Sequence, residues 1–304
     1  MRAVLFHNPG SGAKGYGKED ILAALKLADI DAVYVSTKSD EADEAFDKHA
    51  DLFIAAGGDG TIRKVVAGAR DTGVPVAILP LGTANNVARS LGIAGTPQEL
   101  VETWDIEHSV EIDIGQARGA WGTTLFIESF GVGLFPTYLR MAAKAKKPDG
   151  AANLQQGREL LQKALKKAKP IDAEITVEGK KLKGDFLGVE ILNIPFTGPG
   201  LPLGSKADAA DGSLDVICFE ADRRKELTKW LDAPLEEPPP VLSRRGGEVK
   251  LLWRDAPNRL DDKSFDNEDK THTAEIACDE GTVRVLIPRR LAVQKVAEEK
   301  AETS

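Results

Sequence analysis

LFIAAGGDGTIRKVV, residues 52–66, runs from an apolar stretch through three glycines and an aspartate and returns at once to helix-like spacing. Short apolar runs bounded by Gly, Pro, Asp or Asn read as strands, and apolar residues recurring every three or four positions read as helices. The stretch therefore reads as a strand, a glycine-rich loop and a helix. Upstream and downstream the same alternation continues. AVLFH (3–7), AVYV (32–35), LFIAA (52–56) and VAIL (76–79) have strand character. EDILAALKLA (19–28), EADEAFDKHA (41–50) and IRKVVAGA (62–69) have helical spacing. This order predicts a doubly wound parallel sheet covered on both faces, with ligands beyond the carboxyl ends of its strands.

Beyond about residue 120 the pattern changes. TTLFIESF, DAEITVEG, GDFLGVEILN, LDVICFE, EVKLLW, TAEIAC and TVRVLI are strand-like runs separated by turn residues, which predicts an antiparallel, β-sandwich-like domain. One helix interrupts it, NLQQGRELLQKALKKA (153–168), with Leu154, Leu161 and Leu165 on one face. Residues 232–247 and 255–271 are expected to be loops. The expected division is a nucleotide-binding α/β domain over 1–120, rejoined by 290–304, and a β-rich substrate domain over 121–289.

A chain of 304 residues has room for about two domains, and 42% hydrophobic with 29% charged residues is ordinary for a globular protein. Two cysteines are too few for a disulfide framework, and no apolar run is long enough for a bilayer or a secretory signal, so a cytoplasmic protein is expected. A net charge of −8 offers nucleic acid no overall attraction. Residues 140–169 are different: nine Lys/Arg face only Asp149 and Glu159. That segment is expected to be a solvated helix packed on the β domain, or a peripheral contact with anionic lipid at the inner membrane face.

The loops after three of the strands suit phosphate. NPGSGAKG (8–15) offers Ser11, Lys14 and closely approachable backbone. In GGDGT (57–61), Gly57, Gly58 and Gly60 are expected to use positive φ, turning N–H groups toward one point at a helix start, where anions bind. Asp59 beside a phosphate would repel it unless a cation lay between them, so Asp59 is expected to position Mg2+. PLGTANNVARSLG (80–92) repeats the device, although Thr83 or Asn85 could serve merely as a helix cap. Neither a Walker A spacing nor a dinucleotide fingerprint is present, which disfavours a dehydrogenase.

Together NPGSG, GGDGT and PLGTANN, continued by ILNIPFTGPGLPL (191–203), KADAADGSLDV (206–216) and CDEGTVRVLIP (278–288), resemble the diacylglycerol kinase catalytic-domain family. The chain is most like its bacterial soluble lipid kinases, with sphingosine and ceramide kinases more distant. The resemblance implies that Asn8, Pro9, Gly10, Ser11, Gly12, Thr37, Gly57, Gly58, Asp59, Gly60, Thr61, Ile62, Arg63 and Thr83 contact ATP. It also implies a structural Mg2+ held by Asp208, Asp211 and the carbonyl of Ser213, and a carboxylate that accepts the acceptor hydroxyl's proton. Asp279-Glu280-Gly281 stands where the family has Asp-Gly-Glu, so Asp279 or Glu280 is expected to serve there. Arg63 and Lys64 replace the usual Asn-Glu, and Glu128 an Asn.

The expected activity is transfer of the γ-phosphate of ATP to a hydroxyl of a diacylglycerol-like lipid at a membrane surface, with the acceptor in a cleft between the domains. A NAD kinase-like enzyme and a nucleotide-binding regulator with impaired catalysis are the alternatives. His7, His49, His108 and His272 lack metal-ligand spacing, Cys278 is expected to be buried, and the four tryptophans are expected to anchor the core.

Overall fold

The computed structural model describes residues 1–10, 15–145, 151–204, 206–265 and 271–288. They form two compact units, Met1–Ile112 together with 281–288, and Asp113–Glu280. The return to the first domain expected at 290–304 lies outside the described residues.

In the first unit the elements run β1 (Arg2–His7), α1 (Lys18–Leu27), β2 (Asp31–Ser36), β3 (Leu52–Gly57), α2 (Asp59–Ala69), β4 (Val76–Pro80), α3 (Asn86–Ser90) and α4 (Pro97–Val101). The strands are parallel in the order β2-β1-β3-β4. β3 is fully buried, which is why its sequence is continuously apolar rather than alternating. α2 buries Thr61, Ile62, Val65, Val66 and Ala69, one stripe at helical spacing. Because β1 lies between β2 and β3, the winding reverses there, and the switch point opens at the carboxyl ends of β1 and β3.

The helix expected over 41–50 is absent. Two 3-10 turns, Asp40–Ala42 and Glu44–Asp47, stand in its place. Its buried alanines, Ala42 and Ala45, are three residues apart, which suits a three-residue turn. Phe46 pins the segment, stacked on Phe6 at 4.5 Å and edge-on to Phe53.

The chain then enters the second unit along β5 (Ser109–Gly119), followed by β6 (Gly122–Phe126), β7 (Ser129–Gly133), α5 (Leu134–Lys144), α6 (Ala151–Lys167), β8 (Asp172–Val177), β9 (Lys180–Leu182) and β10 (Phe186–Leu192). β11 (Phe196–Thr197), β12 (Leu201–Pro202), β13 (Leu214–Glu220), α7 (Arg224–Trp230), β14 (Leu242–Gly246), β15 (Glu248–Arg254), β16 (Asn258–Leu260), β17 (Lys263–Phe265) and β18 (Thr271–Leu286) complete it. One sheet has the order β14-β13-β10-β7-β16-β17, and β18, β15, β8 and β9, with β5 beside β18 and β6 beside β5, belong to the other. Val189, Ile191 and Val216 of the first meet Ile175, Val249 and Trp253 of the second in a sandwich core. Helices α5, α6 and α7 cover the outer face of the first sheet through Phe135, Leu161, Leu165 and Trp230. β10 and β13 are therefore buried on both faces, which accounts for their unbroken apolar runs.

Several expectations are corrected here. Two helices, α5 and α7, join the one expected at 153–168. The supposed loops contain β14, β16 and β17, because an antiparallel sheet recruits short runs that carry little apolar signal. TAEIAC and TVRVLI are one continuous strand, β18, with no turn between them. Its inward residues are even-numbered at Ala274 and Ile276 but odd-numbered at Val283 and Val285. The parity changes around Cys278 and Asp279, where the chain leaves the core of the second unit for that of the first. Cys278 is half-buried rather than buried, and Trp121 is 40% exposed, unlike Trp230 and Trp253.

Candidate active site

The phosphate-suited loops of the first unit are stitched to one another by backbone. The Asn8 N–H donates to the Ala56 carbonyl at 3.1 Å, Thr37 N–H to the His7 carbonyl at 2.9 Å, and Leu81 N–H to the Gly57 carbonyl at 2.9 Å. The Asn8 side chain turns back to accept from Gly10 N–H at 3.0 Å. Residues 11–14 of the first loop, with Ser11, Gly12 and Lys14, lie outside the described residues.

The glycines of GGDGT act differently from expectation. Gly58 has φ −89°, Gly57 is not among the residues with positive φ, and Gly60 lies inside α2. Their requirement is closeness. A Cβ on Gly57 would stand 2.4 Å from Thr61 Oγ1, and one on Gly82 would stand 2.4 Å from the Gly58 Cα. The β3–α2 and β4–α3 loops thus touch backbone to backbone, which L side chains would forbid.

Asp59 is the first residue of α2, where a carboxylate complements the helix dipole. Its Oδ1 also accepts the N–H of Val87, in the first turn of α3, at 3.0 Å. Asn85, at the N-cap position of α3 with φ +48°, caps nothing. Its amide instead braces its own loop, accepting from Gly82 N–H at 2.9 Å and donating to the Gly82 carbonyl at 2.9 Å. Thr83 is half-buried on that loop, and Thr61 is buried beneath Gly57.

Lys38, which sequence reasoning passed over, reaches across Gly10, its Nζ 3.0 Å from where a Cβ would stand. Its only signal was its position just beyond β2. Lys64 turns away to pair with Asp43 at 2.9 Å. His7 is buried and edge-on to Tyr34, and burial lowers its pKa, keeping the ring neutral. The arrangement converges the N-terminus of α2, the backbone of three loops and the Lys38 ammonium. The positive end of a helix dipole beside an ammonium favours an anion such as phosphate.

The second unit carries the remaining candidates. Asp208 and Asp211 fold into local turns, their Oδ1 atoms accepting N–H from Ala210 at 3.1 Å and Ser213 at 3.0 Å. Asp279 is half-buried and Glu280 exposed, adjacent on β18 and therefore directed to opposite sides. Asp59 belongs to the first unit, and Asp279 and Glu280 to the second.

A buried ionic cluster was not foreseen. Arg259 and Glu190, each 1% exposed, pair at 2.8 Å, and Arg259 lies 3.4 Å from Glu128. Glu128 accepts from Thr197 Oγ at 2.6 Å and from Gly198 N–H at 3.1 Å, holding the β11–β12 hairpin. Asp261 accepts N–H from Glu128 at 2.8 Å and Ser129 at 3.1 Å. Burial pushes the Glu190 carboxyl up to about 7, against the opposing charge and hydrogen bonds of Arg259 and with Glu128 adding to the rise. Burial likewise raises Tyr138 to about 12. The departure at Glu128 was the one trace of this cluster in the sequence.

Comparison with known proteins agrees with this architecture. Residues 2–117 match the family model described as diacylglycerol kinase catalytic domain, and residues 141–237 match the YegS C-terminal NAD kinase beta sandwich-like domain. A diacylglycerol kinase of Staphylococcus aureus strain MRSA252 is 30% identical over 243 residues, covering 74% of this chain and 73% of its own length. That of Bacillus subtilis strain 168 is 30% identical over 242 residues, 75% and 77% of the two chains. The crystal structure of a diacylglycerol kinase from Bacillus anthracis strain Sterne shares the fold with a TM-score of 0.67 at 19% identity, covering 95% of this chain and 97% of that one. An NAD kinase from Archaeoglobus fulgidus in complex with ATP superposes with a TM-score of 0.52 at 16% identity, covering 95% of each chain. The family model and the relatives at 30% identity place the chain among kinase-family proteins. The chain belongs to the diacylglycerol kinase family.

Proposed function

We propose that the protein transfers the γ-phosphate of ATP to the hydroxyl of a diacylglycerol-like lipid. The observation that carries this reading is the stitching of the β3–α2 and β4–α3 loops through Gly58, Gly82, Asp59 and Val87 at the sheet's switch point. It brings the two loops together backbone to backbone beside the N-terminus of α2, whose dipole favours an anion. Family membership supports a phosphotransferase.

In this reading Asn8, Pro9, Gly10, Thr37, Gly57 to Arg63 and Thr83 orient ATP, and Lys38 offsets phosphate charge. Mg2+ accompanying ATP would screen phosphate from Asp59 and stabilise charge on the bridging oxygens. Carboxylate chemistry suits that ion. Asp59 Oδ1 accepts the Val87 N–H, and its carboxylate is the hard oxygen donor such an ion prefers. Asp279, half-buried and so better able to hold a fixed geometry than exposed Glu280, takes the proton of the lipid hydroxyl as its oxygen bonds the γ-phosphorus and the bond to ADP breaks. The primary hydroxyl is a weak acid, so this transfer comes late.

We further propose that the exposed Lys163, Lys166, Lys167 and Lys169 meet anionic head groups, a peripheral contact at about 1 kcal/mol per basic residue near the surface. Among the described residues no helix is long and apolar enough to cross a membrane.

The test is an assay with Mg-ATP and mixed vesicles carrying diacylglycerol, phosphatidylglycerol, ceramide or a sphingoid base, with NAD alongside. Labelled phosphate on diacylglycerol supports the proposal. Labelled NADP without lipid product would replace it with the NAD kinase reading, and nucleotide binding without any product would leave the regulator.

A further inference from the structure

The family resemblance implies a structural Mg2+ at Asp208, Asp211 and the Ser213 carbonyl. The donor types suit a hard cation, which takes oxygen ligands in near-octahedral array. The arrangement does not. Besides the local turns at Asp208 and Asp211, Asp113 Oδ2 accepts the Gly212 N–H at 2.7 Å. Among the described residues no group of three or more His, Cys, Asp or Glu side chains could hold a metal ion, so an ion here would rest on two carboxylates and a carbonyl.

A cation from the chain itself is already there. Arg245 lies directly opposite Asp215 in the β13–β14 register. Its Nη2 is in direct contact with Asp211 Oδ2, and its Nε lies 3.9 Å from Oδ1 of Asp215, a carboxylate 2% exposed whose two oxygens accept no hydrogen bond among the described residues. A carboxylate buried to that degree needs a compensating charge. The guanidinium is permanently charged and planar, so it can address two carboxylates from one side chain.

We infer that Arg245 takes the place of the structural Mg2+ in this protein. One guanidinium, set by strand register, pairs with Asp211 in the 206–213 loop and places its charge near Asp215 in the sheet, and the second unit folds without a divalent ion there. This goes beyond the phosphoryl-transfer reading and stands apart from it, since it concerns the loop's stability in the absence of nucleotide.

The test combines elemental analysis with thermal melting of the full chain, free of nucleotide, in EDTA and in millimolar MgCl2. Wild-type protein should carry no stoichiometric divalent ion and melt at the same temperature in both. Arg245→Met should melt lower in EDTA, by about 4 °C or more, and recover in MgCl2 as the freed carboxylates take the ion. Arg245→Met combined with Asp211→Asn should not recover. One tightly held ion per wild-type chain, or a fall in wild-type melting temperature with EDTA, would overturn the inference. So would an Arg245→Met protein as stable as wild type in EDTA, or one that MgCl2 does not restore. Should Arg245→Met fail to fold, the ion content and EDTA response of wild type decide alone.

Discussion

Glu190 and Arg259 pair at 2.8 Å although a whole strand separates them. Glu190 on β10 is in register with Gly131 on β7, and Gly131 with Arg259 on β16. The two long side chains meet over the middle glycine, whose Cβ, if present, would lie 2.0 Å from Glu190 Oε1. Gly131→Ala should therefore drive the pair apart and leave buried charges uncompensated, costing about 3–5 kcal/mol by urea denaturation. A loss below about 1 kcal/mol would mean that the pair can be rearranged without it.

Glu190 also sets a pH dependence. Its folded pKa, about 7, stands above the ordinary 4.5, so the folded state holds this proton more tightly than the unfolded chain. The resulting stability is fully present below about 4.5 and is lost as pH rises through about 7. Urea midpoints measured across that window should fall with pH more steeply in wild type than in Glu190→Gln, which has no proton to release. Equal slopes would contradict the buried-proton account.

At Asp59 the scaffold and the chemistry can be separated. Asp59→Asn keeps an oxygen for the Val87 N–H and removes only the charge. Its stability should stay within about 0.5 kcal/mol of wild type, while turnover falls about 100-fold or more. Asp59→Ala should lose the same turnover and about 1 kcal/mol of stability as well. Full turnover by the Asn variant would remove Asp59 from the chemistry.

Where the two loops touch, a single methyl should be felt. Gly82→Ala places a carbon 2.4 Å from the Gly58 Cα and must push the loops apart. The expected cost is about 1–3 kcal/mol, with weaker ATP binding in a calorimetric titration. Unchanged ATP affinity would show that the cradle tolerates wider spacing.

Asp279 and Glu280 can be ranked directly. Asp279→Asn should lower kcat/KM by about 100- to 10,000-fold in the lipid assay, and Glu280→Gln should leave it nearly unchanged. The reverse ranking would move the proton acceptor to Glu280.

Sequence patterning alone determined a great deal here. The alternation of apolar runs and amphipathic stretches identified β1 to β4, α1 and α2, because strands buried on both faces and helices buried on one leave different periods in the sequence. The glycines of GGDGT and PLGTANN likewise marked where two loops touch, since closely packed backbone demands glycine whatever the rest of the chain does. Less was legible where an element is short. β16, β17 and the 3-10 turns around Phe46 owe their form to the neighbours they pack against, and their own propensities are weak.

Tertiary structure decided the partners. That Asp59 caps another helix, that Arg245 stands over Asp215, and that Glu190 reaches Arg259 across Gly131 depend on residues 28 to 69 positions apart. Local sequence records burial and turn preference because those act within a few residues. Charge pairing and backbone contact depend on register, which exists only once the sheets have formed.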